Sequence, residues 1–143
     1  MILLDANLLI YAYDQTSPFH EPAKRWLEDV FSDDDEVVIA LVSILAFLRV
    51  LTNPSVFDPP MTGSDAVEIV KEWLSLPQVG VAQPTSRHWE LIAELARTGK
   101  ARGPMLMDAH LAALAIEHGA TLCTTDRDFA RFRGLRFEDP IGS

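Results

Sequence analysis

The chain has 143 residues, 48% hydrophobic and 23% charged, which favours one packed globular domain over residues 1–143 and disfavours disorder. Its longest apolar stretch, residues 37–48, is about half the ~20 residues that a membrane-spanning helix needs, so we expect no membrane partner. Asp5 interrupts the apolar amino terminus and Cys123 is the one cysteine, which predicts no signal peptide and a cytoplasmic location. The net charge of −9 disfavours nucleic-acid binding by the surface as a whole, because phosphate contacts need Lys and Arg.

Strands and helices alternate along the chain. Short apolar runs predict strands over residues 2–5, 36–40, 79–82, 122–125 and 135–137. Helical spacing, caps and stops predict helices over residues 7–13, from Ser17-Pro18 to about Phe31, 43–52, 64–76, from Thr85 to Arg97, and 105–118, with a helical turn over 128–132. This alternation predicts an α/β fold, a three-layer α/β/α domain with a parallel sheet.

Four aspartates stand at the ends of predicted elements. Asp5 closes the first strand, Asp126 closes the fourth, Asp128 follows two residues later, and Asp108 lies at the start of the helix over residues 105–118. The carboxyl ends of parallel strands and the amino ends of the following helices share one edge of a sheet, so we expect these carboxylates to converge. Clustered carboxylates repel one another unless a cation binds, and oxygen-only sites usually take Mg²⁺ or Mn²⁺. The pattern predicts a metal-dependent phosphodiesterase.

Each acid also has a simpler interpretation. Asp108 could complement the helix dipole, and Asp126 and Asp128 could be turn or cap residues, whereas a carboxylate that closes a buried strand, such as Asp5, is costly unless it is paired. His110 lies about 200° from Asp108 around a helix, which disfavours a His/Asp transition-metal site. The two methionines on either side of Leu106 are predicted to pack in the core.

Basic residues gather next to the acids in sequence. Two precede the Asp108 helix and four surround or follow Asp126: Lys100, Arg102, Arg127, Arg131, Arg133 and Arg136. We expect them to contact an anionic substrate. For each one taken singly, a solvated surface position is the alternative.

Three segments together resemble the PIN-domain family, and more closely its VapC-type toxin ribonucleases from prokaryotic toxin–antitoxin pairs. They are Ile2–Asn7, Met107–Ala112 and Thr124–Phe129. The resemblance covers nearly the whole chain. It implies a PIN-like fold, an endoribonuclease that cleaves RNA with metal-activated water, a cognate antitoxin as partner, and a homodimer.

The same resemblance gives the four aspartates individual roles. It implies that Asp5, Asp108 and Asp126 bind Mg²⁺, with Mn²⁺ as a possible substitute, and that Asp128 orients the attacking water. All four are then catalytic residues, and Asn7 is a polar neighbour of Asp5.

One position departs from the family pattern. Many PIN domains have a glutamate before the Phe-Leu-Arg of the helix after the second strand, and here Ala46 takes that place. Four acids remain rather than five, which leaves the strength of metal binding and a second ion open. An inactive PIN-fold binding module is therefore one alternative. A Mg²⁺-dependent phosphatase with Asp5 as nucleophile is another, although Asn7 stands where that chemistry usually has a second acid.

Overall fold

The computed structural model describes residues 1–142 and consists of one sheet with helices on both faces. The strands are β1 (Ile2–Leu4), β2 (Val37–Ala40), β3 (Val79–Ala82), β4 (Thr121–Cys123) and β5 (Phe137–Glu138). The helices are α1 (Ala6–Tyr11), α2 (His20–Ser32), α3 (Leu41–Leu51), α4 (Gly63–Ser75), α5 (His88–Thr98) and α6 (Met105–His118). A 3₁₀ turn (Arg127–Arg131) lies between β4 and β5.

All five strands are parallel, in the order β3-β2-β1-β4-β5. In the central strand β1, Leu4 pairs with Ile39 of β2 on one side and with Cys123 of β4 on the other. The chain adds β2 and β3 on one side of β1 and then crosses over to add β4 and β5 on the other. The strand order therefore reverses between β1 and β4, and such a reversal opens a crevice at the carboxyl ends of the two strands.

Helices cover both faces of this sheet. Helices α1 to α4 pack on one face around Leu4, Phe47 and Trp73, while α5, α6 and the 3₁₀ turn pack on the other around Leu3 and Phe129. Full burial of such a side chain contributes about 1.5–3 kcal/mol to folding. The predicted three-layer parallel fold is confirmed. No helix in residues 1–142 is long and apolar enough to cross a membrane.

Small residues let α6 approach the sheet closely. Ala109, Ala112, Ala113 and Ala115 are fully buried along this helix. The helix ends at Gly119, whose φ of 66° is the left-handed conformation that glycine adopts without strain. This close packing sets the position of the first turn of α6 relative to the end of β1.

Two predicted helix starts are wrong. The Ser17 hydroxyl accepts a hydrogen bond from the N–H of Phe19 in a turn that precedes α2, so Pro18 is not its first residue. Thr85 likewise precedes α5, and its hydroxyl accepts a hydrogen bond from the N–H of Arg87. Both hydroxyls stabilise a turn before the helix. The other element ends agree with the sequence predictions to within two residues, which is the ordinary uncertainty of helix and strand ends.

Candidate active site

Asp5 is held at the carboxyl end of β1, inside the crevice. Its side chain accepts a 2.7 Å hydrogen bond from the Thr124 hydroxyl, and its N–H donates to the backbone oxygen of Cys123. The residue is 8% exposed. It precedes α1, where the amides of Ala6 and Asn7 lie close enough to favour the charged carboxylate, although neither meets the geometry of a capping hydrogen bond. The side chain of Asn7 is exposed.

Thr124 joins the ends of β1 and β4. It is 1% exposed, and while its hydroxyl donates to Asp5 it accepts a 3.0 Å hydrogen bond from the N–H of Asp126. Asp126 Oδ1 in turn accepts a 2.9 Å hydrogen bond from the N–H of Asp128. A continuous line of hydrogen bonds therefore runs from Asp128 to Asp5. Sequence reasoning used Thr124 only as part of a motif; a threonine two residues before a candidate acid at a strand end was the signal for this role.

Asp108 completes the group from the first turn of α6. It is half-buried, and the N-cap of its helix, Pro104, makes no side-chain capping hydrogen bond. Burial is the largest cause that raises its pKa, followed by the charges of Asp126, Asp5 and Asp128, and the charge of Arg131 opposes them. The structure thus brings all four predicted acids together, close enough for their charges to act on one another.

The pKa of Asp5 is also raised above its usual value of 3.8. Burial is the main cause and the charge of Asp126 adds to it, while the hydrogen bond from Thr124 partly opposes the shift. Within residues 1–142, the contacts between basic and acidic side chains are Lys71 with Glu68 and His88 with Glu117, so Asp5 has no cationic partner there. A buried carboxylate without a counter-charge is costly.

The donor chemistry of this group fits a hard divalent cation. The four acids offer oxygen ligands only, which is the set that Mg²⁺ and Mn²⁺ prefer. As they stand, however, no three His, Cys, Asp or Glu side chains in residues 1–142 form a group that could hold a metal ion. Ligation therefore requires the carboxylates to rotate towards a common point.

Ser43 was not among the predicted site residues. It lies in the first turn of α3, directly after β2, which is the neighbour of β1. Its side chain is 2% exposed, and its hydroxyl is the one buried side-chain oxygen or nitrogen within residues 1–142 that has no hydrogen-bond partner. A buried hydroxyl without a partner costs about 1–3 kcal/mol of desolvation.

Ala46 lies one turn further along α3, in a cleft between this helix and α6. Arg49 and Met107 also line the cleft, so residue 46 faces the helix that carries Asp108. Met107 is 52% exposed, and its predicted place in the core is wrong.

His110 lies away from the acids, on the side of α6 that faces α5. Its Nδ1 is hydrogen-bonded to Nε2 of His88 at 2.9 Å, and Nδ1 of His88 is 3.0 Å from Oε1 of Glu117. The helical arithmetic that separated His110 from Asp108 is confirmed.

The predicted basic cluster is divided between the two edges of the sheet. Arg131 stays beside the acids, where its Nε donates to the backbone oxygen of Asp128. Arg136 instead donates to the backbone oxygen of Gly119, at the far end of α6, and Arg133 lies in a groove beside α5. The grouping is therefore wrong for Arg133 and Arg136. Because β5 is parallel to β4, the chain after the 3₁₀ turn must return to the opposite edge before β5 begins.

A large cleft in the described residues lies away from the acids. Its volume is about 610 Å³, and its walls come mainly from α2 and the segment between α1 and α2, with Met61 and Leu76. None of the four aspartates lines it. The size of this cleft would therefore have pointed away from the carboxylate group.

Comparisons with known proteins agree with this geometry. The PIN domain family profile matches residues 2–135. Ribonuclease VapC37 of Mycobacterium tuberculosis is 39% identical over 140 residues, which covers 98% of this chain and 97% of that protein. VapC ribonuclease Mb2897 of Mycobacterium bovis is 37% identical over 141 residues, which covers 99% and 96%.

Solved structures share the fold at lower sequence identity. FitAB bound to an IR36 DNA fragment has a TM-score of 0.72 at 17% identity, covering 100% of this chain and 97% of that one. VapBC-1 from nontypeable Haemophilus influenzae has a TM-score of 0.71 at 20% identity, covering 98% of each chain. From the family profile and the curated relatives together, the chain belongs to the PIN domain family and, within it, to the VapC proteins.

Proposed function

We propose that this protein is a metal-dependent endoribonuclease that acts as the toxin of a type II toxin–antitoxin pair. The observation that carries the proposal is the meeting of Asp5, Asp108, Asp126 and Asp128 at the crevice between β1 and β4. The support for RNA as substrate is that the curated relatives, which match 98–99% of this chain, are named ribonucleases.

Each residue of the crevice would have its own role in hydrolysis. Asp5, Asp108 and Asp126 would hold Mg²⁺, or Mn²⁺ in its place. When bound, the metal would lower the pKa of a water molecule and stabilise negative charge on the phosphate. Thr124 fixes the orientation of the Asp5 carboxylate by its hydrogen bond, which is the usual task of a residue behind a metal ligand. The exposed carboxylate of Asp128 would accept a hydrogen bond from the attacking water and orient it.

A cleavage assay with two metals and a chelator tests this function. We expect cleavage of single-stranded or looped RNA with Mg²⁺ or Mn²⁺, no cleavage in EDTA, and loss of cleavage in Asp108→Asn. Asp29→Asn is a matched control, because Asp29 is an exposed aspartate of α2. Cleavage at the full rate in EDTA would refute the proposal.

The same assay separates the two rival functions. A PIN-fold binding module is favoured by Ala46 in the place of an acid, and it would leave RNA intact with every metal. A phosphatase would release inorganic phosphate from a simple phosphomonoester and leave internal phosphodiester bonds uncut.

Phosphate contacts are expected from the basic residues at the edge of the crevice. Arg127 is exposed in the 3₁₀ turn, and Lys100 is exposed in the loop between α5 and α6. Changing each to Gln should lower the slope of log affinity against log salt by about one unit per lost phosphate contact. Arg133→Gln is the control, because Arg133 lies beside α5. Equal slopes for all three variants would show that Arg127 and Lys100 are ordinary surface residues.

A cognate antitoxin and a second copy of the chain are the proposed protein partners, in the cytoplasm. The antitoxin is supported by structural neighbours that are VapBC and FitAB proteins. The homodimer is supported by exposed apolar residues on neighbouring α3 and α6, of which Leu41, Leu45 and Met107 are each more than half exposed. Light scattering should show a dimer that Leu45→Glu dissociates. Val67→Glu is the control on exposed α4, and a monomeric wild type would contradict this assembly.

A further inference from the structure

Arg131 connects three parts of the chain that surround the acids. Its Nη1 donates a 3.1 Å hydrogen bond to the backbone oxygen of Gly99, directly after α5, and contacts Sδ of Met105, the first residue of α6, at 2.9 Å. Its Nε lies 3.3 Å from the backbone oxygen of Asp128 in the 3₁₀ turn. The planar guanidinium presents these donors in a fixed arrangement, which a lysine cannot reproduce.

The packing around Arg131 is tight at the same place. A Cβ atom on Gly99 would lie 2.8 Å from the backbone oxygen of Leu95 and 3.1 Å from the ring of Phe132. Phe132 follows Arg131 directly and is 3% exposed. The end of α5 and the end of the 3₁₀ turn are therefore in direct contact, and Arg131 bridges this contact with hydrogen bonds.

Two of the three parts that Arg131 connects contain or flank three of the four acids. The 3₁₀ turn contains Asp128 and begins after Asp126, while α6 carries Asp108 in its first turn. The hydrogen bonds of Thr124 connect Asp126 to Asp5. They do not reach Asp108, so the position of Asp108 relative to Asp126 depends on other contacts.

We propose that Arg131 is a positioning residue of the candidate active site, which holds the 3₁₀ turn against the start of α6 and so sets Asp126 and Asp128 relative to Asp108. The effect of this positioning on metal binding rests on the function proposed above. The joint, which is the contact that holds the 3₁₀ turn against the start of α6, rests on the hydrogen bonds and packing alone.

The positioning role of Arg131 and its charge predict opposite effects on cation affinity when the residue is changed. Loss of a nearby positive charge would by itself strengthen the binding of a cation at the acids. Loss of the joint would weaken it, because residues behind metal ligands typically contribute 10–100-fold to metal affinity. We expect Arg131→Gln and Arg131→Lys both to bind Mn²⁺ about tenfold more weakly than wild type, although the lysine keeps the charge.

The measurement is a calorimetric Mn²⁺ titration of the full chain, with the fold checked by circular dichroism. Arg127→Gln is the control, since it removes the same charge from the exposed side of the same turn and should leave the affinity unchanged or slightly higher. Tighter binding by Arg131→Gln with wild-type binding by Arg131→Lys would mean that Arg131 acts through charge only, which overturns the proposal. Unchanged binding in both also overturns it. If Arg131→Gln does not fold, the lysine variant decides.

Amide hydrogen exchange of the metal-free protein tests the joint without any metal. Exchange should become faster in residues 99–105 and in residues 126–131 of Arg131→Lys, and in neither segment of Arg127→Gln. Unchanged exchange in both segments overturns the proposal even if wild type binds Mn²⁺. A wild type that binds no Mn²⁺, with faster exchange in both segments of the variant, would refute the proposed metal-dependent function and leave the joint supported.

Discussion

Replacing Asp5 with asparagine removes a negative charge from a place where burial disfavours it. The carboxylate is 8% exposed and its pKa is raised, first by burial and then by the charge of Asp126. Two unit charges about 6 Å apart repel by about 3 kcal/mol at an effective dielectric constant of ~20. Solvent and partial protonation reduce this repulsion, and asparagine can still accept the hydrogen bond from Thr124. We expect metal-free Asp5→Asn to be more stable than wild type by about 1 kcal/mol.

A saturating divalent ion should reverse this order. A ligand that binds only the folded state stabilises it by about 2.7 kcal/mol at 100 times its dissociation constant, and the variant lacks one of the proposed metal ligands. Thermal melts in EDTA and in excess Mg²⁺ measure both effects, with Asp29→Asn as control. Asp108→Asn should behave in the same direction with a smaller effect in EDTA, because its half-buried carboxylate is better screened. If both variants melt well below wild type in EDTA, these aspartates are structural and the active-site assignment fails.

Three further predictions concern the same edge of the sheet. Because the folded-state pKa values of Asp5 and Asp108 are raised, metal-free wild type should lose stability as the pH rises from about 4 to neutral. Thermal melts of Asp5→Asn over that range should show a smaller loss of stability, and an equal loss would contradict the assignment. Ser43→Ala removes a buried hydroxyl without a hydrogen-bond partner, so chemical denaturation of the metal-free protein should show a free energy of unfolding higher by about 1 kcal/mol. A lower free energy of unfolding would reveal a hydrogen bond that the structure does not contain. Ala46→Glu should tighten Mn²⁺ binding in a calorimetric titration. The gain should be modest, because Arg49 lies in the same cleft and can pair with the new acid. An unchanged affinity would show that residue 46 does not reach the metal.

The sequence was sufficient for the fold and for the placement of the acids because both follow local rules. A buried apolar run such as β1 has few alternatives to a parallel strand, and a carboxylate after it must lie at the carboxyl edge. The structure brings Asp5 and Asp108 together as these rules require.

Contacts between distant segments were beyond such rules. Threonine is a residue type that often caps helices, but the hydroxyl and the amide of Thr85 also form hydrogen bonds with Glu117, 32 residues away. Helix α5 therefore begins after Thr85. The hydrogen bonds of Arg131 to Gly99 depend on how the 3₁₀ turn packs against α5. Arg136 leaves the site because a parallel β5 must begin at the opposite edge. In each case the position depends on tertiary packing that no local pattern specifies.

The net charge of −9 is compatible with RNA binding because the charges are distributed unevenly. The exposed acidic run of residues 33–36 lies between α2 and β2, at the amino edge of the sheet, whereas the crevice is at the carboxyl edge. A four-residue strand spans about 13 Å, which exceeds the ~8 Å Debye length at physiological salt, so the run contributes little potential at the crevice. Four basic residues lie in the loop before α6 and in the 3₁₀ turn, next to the segments that carry the acids: Lys100, Arg102, Arg127 and Arg131. A divalent ion would reduce the negative charge at the crevice, and RNA affinity should therefore rise when the metal binds.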